Sequence, residues 1–183
     1  MDISPAPRPV LELRDIVKTY GGVHALDTVS FTLLPGEVHC LAGENGSGKS
    51  TLIKIISGVE TPDSGVIVVG GERHASMTPA SAIAAGVQVI YQDFSLFPNL
   101  SVAENIAMPR QRAVGGRFYS ARAARPIAQG IVDELGLALD LDADVAALSV
   151  ADKQLTAICR ALVSDAQIII MDEPTTALTG AEV

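Results

Sequence analysis

Between Val10 and Leu34 apolar and polar residues alternate, β-branched side chains are frequent, and Gly21-Gly22 interrupts the run. This period of two predicts a pair of antiparallel strands joined by a tight turn, closed by Pro35-Gly36. Residues 37–42 form a short apolar stretch that predicts another strand. After a glycine-rich loop the period changes: in KSTLIKIISG, Leu52, Ile55 and Ile56 fall on one face of a helix that Gly58 stops. Pro62-Asp63-Ser64-Gly65 predicts a turn into the strand VIVV, and Gly70-Gly71 a second turn. A short helix over 79–85 and a strand over 86–91 follow. From about residue 93 to 157 helical patterns prevail, with Ser101 and Ser120 as N-caps and Gly115-Gly116 as a link. The run AQIIIMDEP ends the series with a buried strand that Pro174 terminates. The order implies an α/β domain with an antiparallel β layer, its core formed by residues 1–92 and 158–183, and an inserted helical subdomain over 93–157.

The 183 residues suit one large domain, and 48% hydrophobic against 19% charged residues is a soluble globular composition. Lys and Arg number 13 against 21 Asp and Glu, a net charge of -8 that repels nucleic acid backbones and acidic lipid surfaces. Arg110, Arg112, Arg117, Arg122 and Arg125 are interleaved with small residues rather than with base-stacking aromatics, so they read as a solvated face and no nucleic acid partner is expected. Cys40 and Cys159 each lie in apolar surroundings in the sequence and read as small buried hydrophobes. His24 and His74 read as surface residues and His39 as a satisfied strand residue. MDISPAPRPVLEL lacks the basic start and apolar centre of a secretory signal, and no apolar run approaches the ~20 residues that span a bilayer, which points to the cytoplasm.

The loop GENGSGKST, residues 43–51, matches G-x-x-x-x-G-K-[ST] through Gly43, Gly48, Lys49 and Ser50, with Gly46 inside. Glycines let successive backbone amides, those of Asn45, Gly46, Ser47 and Gly48 among them, converge on an anion, and the helix that starts there adds the positive end of its dipole. Lys49 reaches β- and γ-phosphates, Ser50 is placed to ligate Mg²⁺, and Thr51 to bind a phosphate oxygen. The expected ligand is a nucleoside triphosphate. Asp172 and Glu173 end the last apolar strand, at the sheet edge where α/β ligands collect. Successive strand residues point in different directions, so Asp172 is suited to the Mg²⁺ shell and Glu173 to a water beyond the γ-phosphate. Hydrolysis is then the favoured chemistry.

Five ordered motifs carry a resemblance to the ATP-binding cassette ATPases, which share the RecA-like P-loop core: Tyr20, GENGSGKST, YQDFSLFPNLSVAENI, LSVADKQ and IIIMDEPTTAL. The resemblance implies ATP with Mg²⁺, Tyr20 stacked on adenine, and Gln92 as the hinge glutamine that touches Mg²⁺ and the attacking water. It also implies Ser149 on the γ-phosphate of an opposing subunit. LSVAD departs from the usual LSGGQ: Val150 and Ala151 stand for glycines and Asp152 for glutamine.

SGVETPDSG, FPNLSVAEN and DEPTTALTGAEV further resemble the monosaccharide importers of the ribose, galactose and xylose type, in the first of two cassettes. Implied partners are membrane-spanning permease subunits, a second cassette in the same full-length chain or a homodimer, and indirectly a periplasmic sugar-binding protein. The implied location is the inner face of the cell membrane, held there by the permease. The chain ends before the family's remaining strands and switch histidine, which reads as a truncated cassette. Two alternatives fit the same motifs: a soluble cassette ATPase acting on nucleic acid or ribosomes, and a nucleotide-binding module without turnover.

Overall fold

The computed structural model describes residues 7–113 and 120–172, which divide between Gln88 and Val89 into two compact units. Alternation in the first unit builds the strands β1 (Leu11–Tyr20) and β2 (Val23–Leu33), paired antiparallel across the predicted Gly21-Gly22 turn. With β3 (Ser64–Val69) and β4 (Glu72–His74) they form one antiparallel sheet in the order β2-β1-β3-β4. Leu11 and Leu13 face the core, but Asp15 adopts φ 51° and shifts the register, so that Ile16 rather than Asp15 returns to the buried side. The Asp15 amide donates to Ser30 Oγ at 3.0 Å. Gly65 packs against this bulge: a Cβ there would lie 2.7 Å from the carbonyl oxygens of both Arg14 and Asp15. No other residue type fits so close an approach. The three residues of β4 were not foreseen, being too few to show a period.

Helix α1 (Lys49–Ile56) buries Leu52, Ile53, Ile55 and Ile56. Gly58 stops it with φ 74°, and a Cβ there would meet the Thr78 carbonyl oxygen at 2.5 Å. Thr78 in turn caps α2 (Pro79–Ala84) through a reciprocal box with Ser81.

The strand expected over 37–42 is not formed. Strands persist only when neighbouring backbone groups complete their ladders, and among the described residues none pairs with this segment. Val38 is 98% exposed. Two further expectations fall with it. Cys40 is exposed rather than buried. His39 is an exposed loop residue, its Nε2 3.0 Å from Glu37 Oε2 and its ring edge-on to Phe31. His74, expected at the surface, is half-buried, and its Nε2 has no hydrogen-bond partner.

Strand β5 (Val87–Ile90) leads into the second unit and pairs with β6 (Ile168–Met171). Between them lie α3 (Val102–Ala113), α4 (Ala121–Glu134), a 3-10 turn at Val145–Ala147, and α5 (Val150–Val163). Ser101 and Glu104 form a capping box on α3, Ser120 Oγ caps α4 and Ser149 Oγ caps α5. The helices meet through small and branched side chains: Val102, Ile106 and Ala107 of α3, Ala124, Ala128 and Val132 of α4, Cys159 and Val163 of α5. Alanine at the α3–α4 contact lets the axes approach closely. Asn105, fully buried on α3, pins the preceding loop: its Oδ1 accepts from Phe97 N at 2.8 Å, and its Nδ2 donates to the carbonyls of Phe97, Leu100 and Ser101. Among the described residues no helix is long and apolar enough to cross a membrane.

Candidate functional site

The loop from Gly43 to Thr51 is an open cradle ending on α1. Gly46 and Gly48 have φ 87° and 92°, the left-handed region in which backbone amides turn inward. Gly48 is irreplaceable on steric grounds as well: a Cβ would sit 2.3 Å from the carbonyl oxygen of Ala25 on β2. A Cβ on Gly43 would lie 2.5 Å from Ser47 Oγ. Gly48 occupies the N-cap of α1, and no side chain caps that end. The first helical amides are therefore left for an anion, with the dipole favouring negative charge there.

Lys49 folds back over the loop, its ammonium donating to the carbonyls of Gly43 at 2.6 Å and Glu44 at 2.9 Å. No carboxylate among the described residues lies within ion-pair distance of it. A cation held by carbonyl oxygens beside an uncapped helix start suits a polyphosphate: positive charge and free donors lie together, and no described carboxylate pairs with the lysine. Asn45, Gly46, Ser47 and Ser50 are exposed, and Thr51 is half-buried.

Tyr20, at the end of β1, lies beside this loop. Its hydroxyl interacts with Thr51 and with Glu60, and its ring, 44% exposed, carries the Lys18 ammonium 5.2 Å from its centroid. Partial desolvation, and then the Glu60 carboxylate, push the phenol above its usual range against the opposing pull of Lys18 and Thr51. Glu60 is itself held low, first by the hydrogen bond from Lys18 at 2.9 Å. Lys18 also donates to the Thr61 carbonyl at 2.8 Å, so one cation ties the ends of the Tyr20 pocket together. Lys18 and Glu60 escaped the sequence reading, because lysine and glutamate near a strand end read as ordinary surface charge.

In the second unit Gln92 and Asp172 line one cavity of about 460 Å³ with Tyr91, Asp93 and Ser95. The strand pair β5-β6 sets this up: the Asp172 amide donates to the Ile90 carbonyl at 3.0 Å, fixing the carboxylate-bearing end of β6 beside the segment that carries Gln92. That segment turns sharply, with Phe94 and Ser95 both in the left-handed region at φ 57° and 47°. Asp93 Oδ1 accepts from Ser95 N at 3.1 Å and from Ser95 Oγ at 3.0 Å. The D-x-S spacing was a visible turn signal, since Asp bonds readily to the backbone two residues on. Glu173 lies outside the described residues.

Ser149 does not line this cavity. It caps α5, accepting from Asp152 N at 3.1 Å and donating to Asp152 Oδ2 at 2.8 Å. Among the described residues no group of three or more His, Cys, Asp or Glu could hold a metal alone. Hydroxyl and carboxylate oxygens are hard donors of the kind Mg²⁺ takes together with substrate phosphates, and Ser50 in the first unit and Asp172 in the second each carry one such group.

Residues 26–176 match the ABC transporter family. The chain belongs to that family. It is 51% identical over 178 residues to the Ribose import ATP-binding protein RbsA 2 of Streptomyces avermitilis, covering 97% of this chain and 35% of that protein. It is 46% identical over 183 residues to the Ribose import ATP-binding protein RbsA of Rhodococcus jostii, covering 100% and 36%. The cassette thus spans about a third of the length of these curated relatives. Among solved structures it is similar to an ATP-binding cassette of an ABC transporter in its ADP conformation, with TM-score 0.77 and 28% identity, covering 96% of this chain and 71% of that one. A dimeric bacterial ABC transporter cassette follows at TM-score 0.72 and 27% identity, covering 92% and 75%. The α/β fold with its P-loop core and antiparallel layer is that of these cassettes.

Proposed function

We propose that the cassette binds and hydrolyses ATP to power a membrane importer of a monosaccharide, with ribose the leading candidate. The observation that carries the reading is the loop from Gly43 to Thr51, whose left-handed glycines, uncapped helix end and carbonyl-held Lys49 are suited to a triphosphate and to little else. The sugar reading is supported by the similarity to ribose import ATP-binding proteins of Streptomyces avermitilis and Rhodococcus jostii.

In this reading the amides of the loop and the Lys49 ammonium hold the β- and γ-phosphates, Thr51 adds a hydrogen bond, and Tyr20 stacks on the adenine. Ser50, Asp172 and Gln92 would hold Mg²⁺, which when bound would supply positive charge to the phosphate oxygens. Glu173 orients a water and accepts its proton as the water oxygen bonds to the γ-phosphorus. The bond to the β–γ bridging oxygen breaks, leaving ADP and inorganic phosphate. Ser149 contacts the γ-phosphate held by a second cassette, so that ATP closes the pair and hydrolysis reopens it. Permease subunits take up that motion at the inner face of the membrane, and a periplasmic sugar-binding protein delivers the cargo.

Calorimetric titration tests the core of this. Folded protein should bind ATP in a Mg²⁺-dependent manner, and Lys49→Ala should lose at least about tenfold in affinity, the scale of one charge-assisted contact of 1.5–3 kcal/mol. Unchanged affinity in that variant would remove the cradle as the binding site.

A further inference from the structure

The segment that carries Gln92 is held in its turn from outside. Phe94 and Ser95 are consecutive non-glycine residues in the left-handed region, a conformation that L side chains resist and rarely adopt in pairs. Arg160, in the last turn of α5, reaches back to both of them: its Nη2 donates to the Phe94 carbonyl at 3.0 Å and its Nη1 to the Ser95 carbonyl at 2.8 Å. These contacts span 66 and 65 residues of sequence. Phe94 also packs beside Ala157 and Ala161 on the same helix, so one face of α5 serves both the apolar and the polar half of the clamp. Asp93, which bonds Ser95 from within the turn, adds an attraction to the guanidinium. A planar fork holds two adjacent carbonyls with donors in a fixed relative geometry, whereas a lysine ammonium donates from a single rotatable point.

We propose that Arg160 is a positioning residue: by clamping the Phe94 and Ser95 carbonyls it holds the strained turn that presents Gln92 and Asp93 to the cavity shared with Asp172. The inference rests on the reading of Gln92 as a catalytic contact. Because Arg160 belongs to the helix that begins at Ser149, any movement of α5 is transmitted to the Gln92 turn through two hydrogen bonds rather than through the chain.

The clamp works against a local conformational preference, and glycine at position 95 has no such preference. Arg160→Met, measured in the full chain, should lower kcat about tenfold while KM for ATP stays within about twofold, since a misplacement of about 1 Å at a reacting group costs up to about 100-fold. Amide exchange across residues 91–96 should rise about tenfold without nucleotide. Adding Ser95→Gly should restore at least about a third of the lost kcat, a rescue that general damage to α5 would not show. Arg160→Lys, keeping charge without the fork, should behave like Arg160→Met. Unchanged exchange across 91–96 in Arg160→Met, or failure of Ser95→Gly to rescue, would overturn the clamp. Gln92→Ala is measured in parallel. If it leaves kcat intact the catalytic reading of Gln92 fails, whereas exchange across 91–96 still decides the clamp by itself.

Discussion

Ser149 and Asp152 close on one another at the start of α5: the serine hydroxyl donates to the Asp152 carboxylate at 2.8 Å and accepts the Asp152 amide at 3.1 Å. The only O–H of the hydroxyl and one of its two lone pairs are thus used within its own helix end. In the proposed pairing of cassettes, a phosphate reaching Ser149 would have to displace the carboxylate and face its charge, a cost that a neutral glutamine at position 152 would not impose.

Asp152→Gln should therefore strengthen ATP-dependent pairing of cassettes while weakening α5 slightly, since a carboxylate in the first turn favours the helix dipole by about 0.3–1 kcal/mol. Sedimentation with and without Mg-ATP measures the first effect and thermal melting the second. Weaker pairing in the variant would show that the carboxylate assists the contact instead of opposing it.

Two glycines of the phosphate loop should separate cleanly. Gly46→Ala meets nothing within 4 Å and carries only the left-handed penalty, about 1 kcal/mol. Gly48→Ala adds a Cβ 2.3 Å from the Ala25 carbonyl oxygen and must push β2 or the start of α1 aside. Denaturant midpoints should show a loss for Gly48→Ala at least about twice that for Gly46→Ala.

Asn105 is the most fully used polar side chain of the helical region. Asn105→Leu leaves the Phe97 amide without its acceptor, whereas the carbonyls of Phe97, Leu100 and Ser101 keep backbone donors from Leu100, Val145 and Asn105, and one orphaned polar group costs about 1–3 kcal/mol. The expected loss is about 1–3 kcal/mol in urea unfolding, with faster amide exchange over residues 97–101. A change below about 1 kcal/mol would mean that water replaces the carboxamide.

The two cysteines should differ sharply in reactivity. Cys40 is exposed, whereas burial pushes the Cys159 thiol up to about 11. At about pH 8 a disulfide reagent should titrate one thiol quickly, and Cys40→Ser should abolish that fast phase. The folded state holds the Cys159 proton more tightly than the unfolded state, so its contribution to stability is complete below the usual thiol value of 9.0 and is lost as pH rises through about 11. Cys159→Ala should flatten the alkaline limb of a stability profile.

Much was legible from local chemistry alone. Alternation foretold β1 and β2, the serines at 101 and 120 and the glycine at 58 mark helix ends by their side-chain or backbone needs, and the fixed spacing of Gly43, Gly48, Lys49 and Ser50 pointed to phosphate. Those features depend on neighbours within a few residues, and proximity in sequence guarantees them. The failures share a cause. Residues 37–42 have the apolar content of a strand, yet a strand exists only where other backbone supplies its ladder, and Cys40 and His39 follow that segment into solvent. Arg160 looked like any basic residue on a helix. Only the fold, which carries α5 back beneath Phe94 and Ser95 across more than sixty positions, gives its guanidinium two carbonyls to hold. The amino-acid order thus determined which segments could turn, cap or cradle an anion, because those are short-range demands of the backbone. Tertiary structure decided which polar groups met across long separations, because desolvation and hydrogen-bond geometry depend on what chain folding brings within a few ångströms.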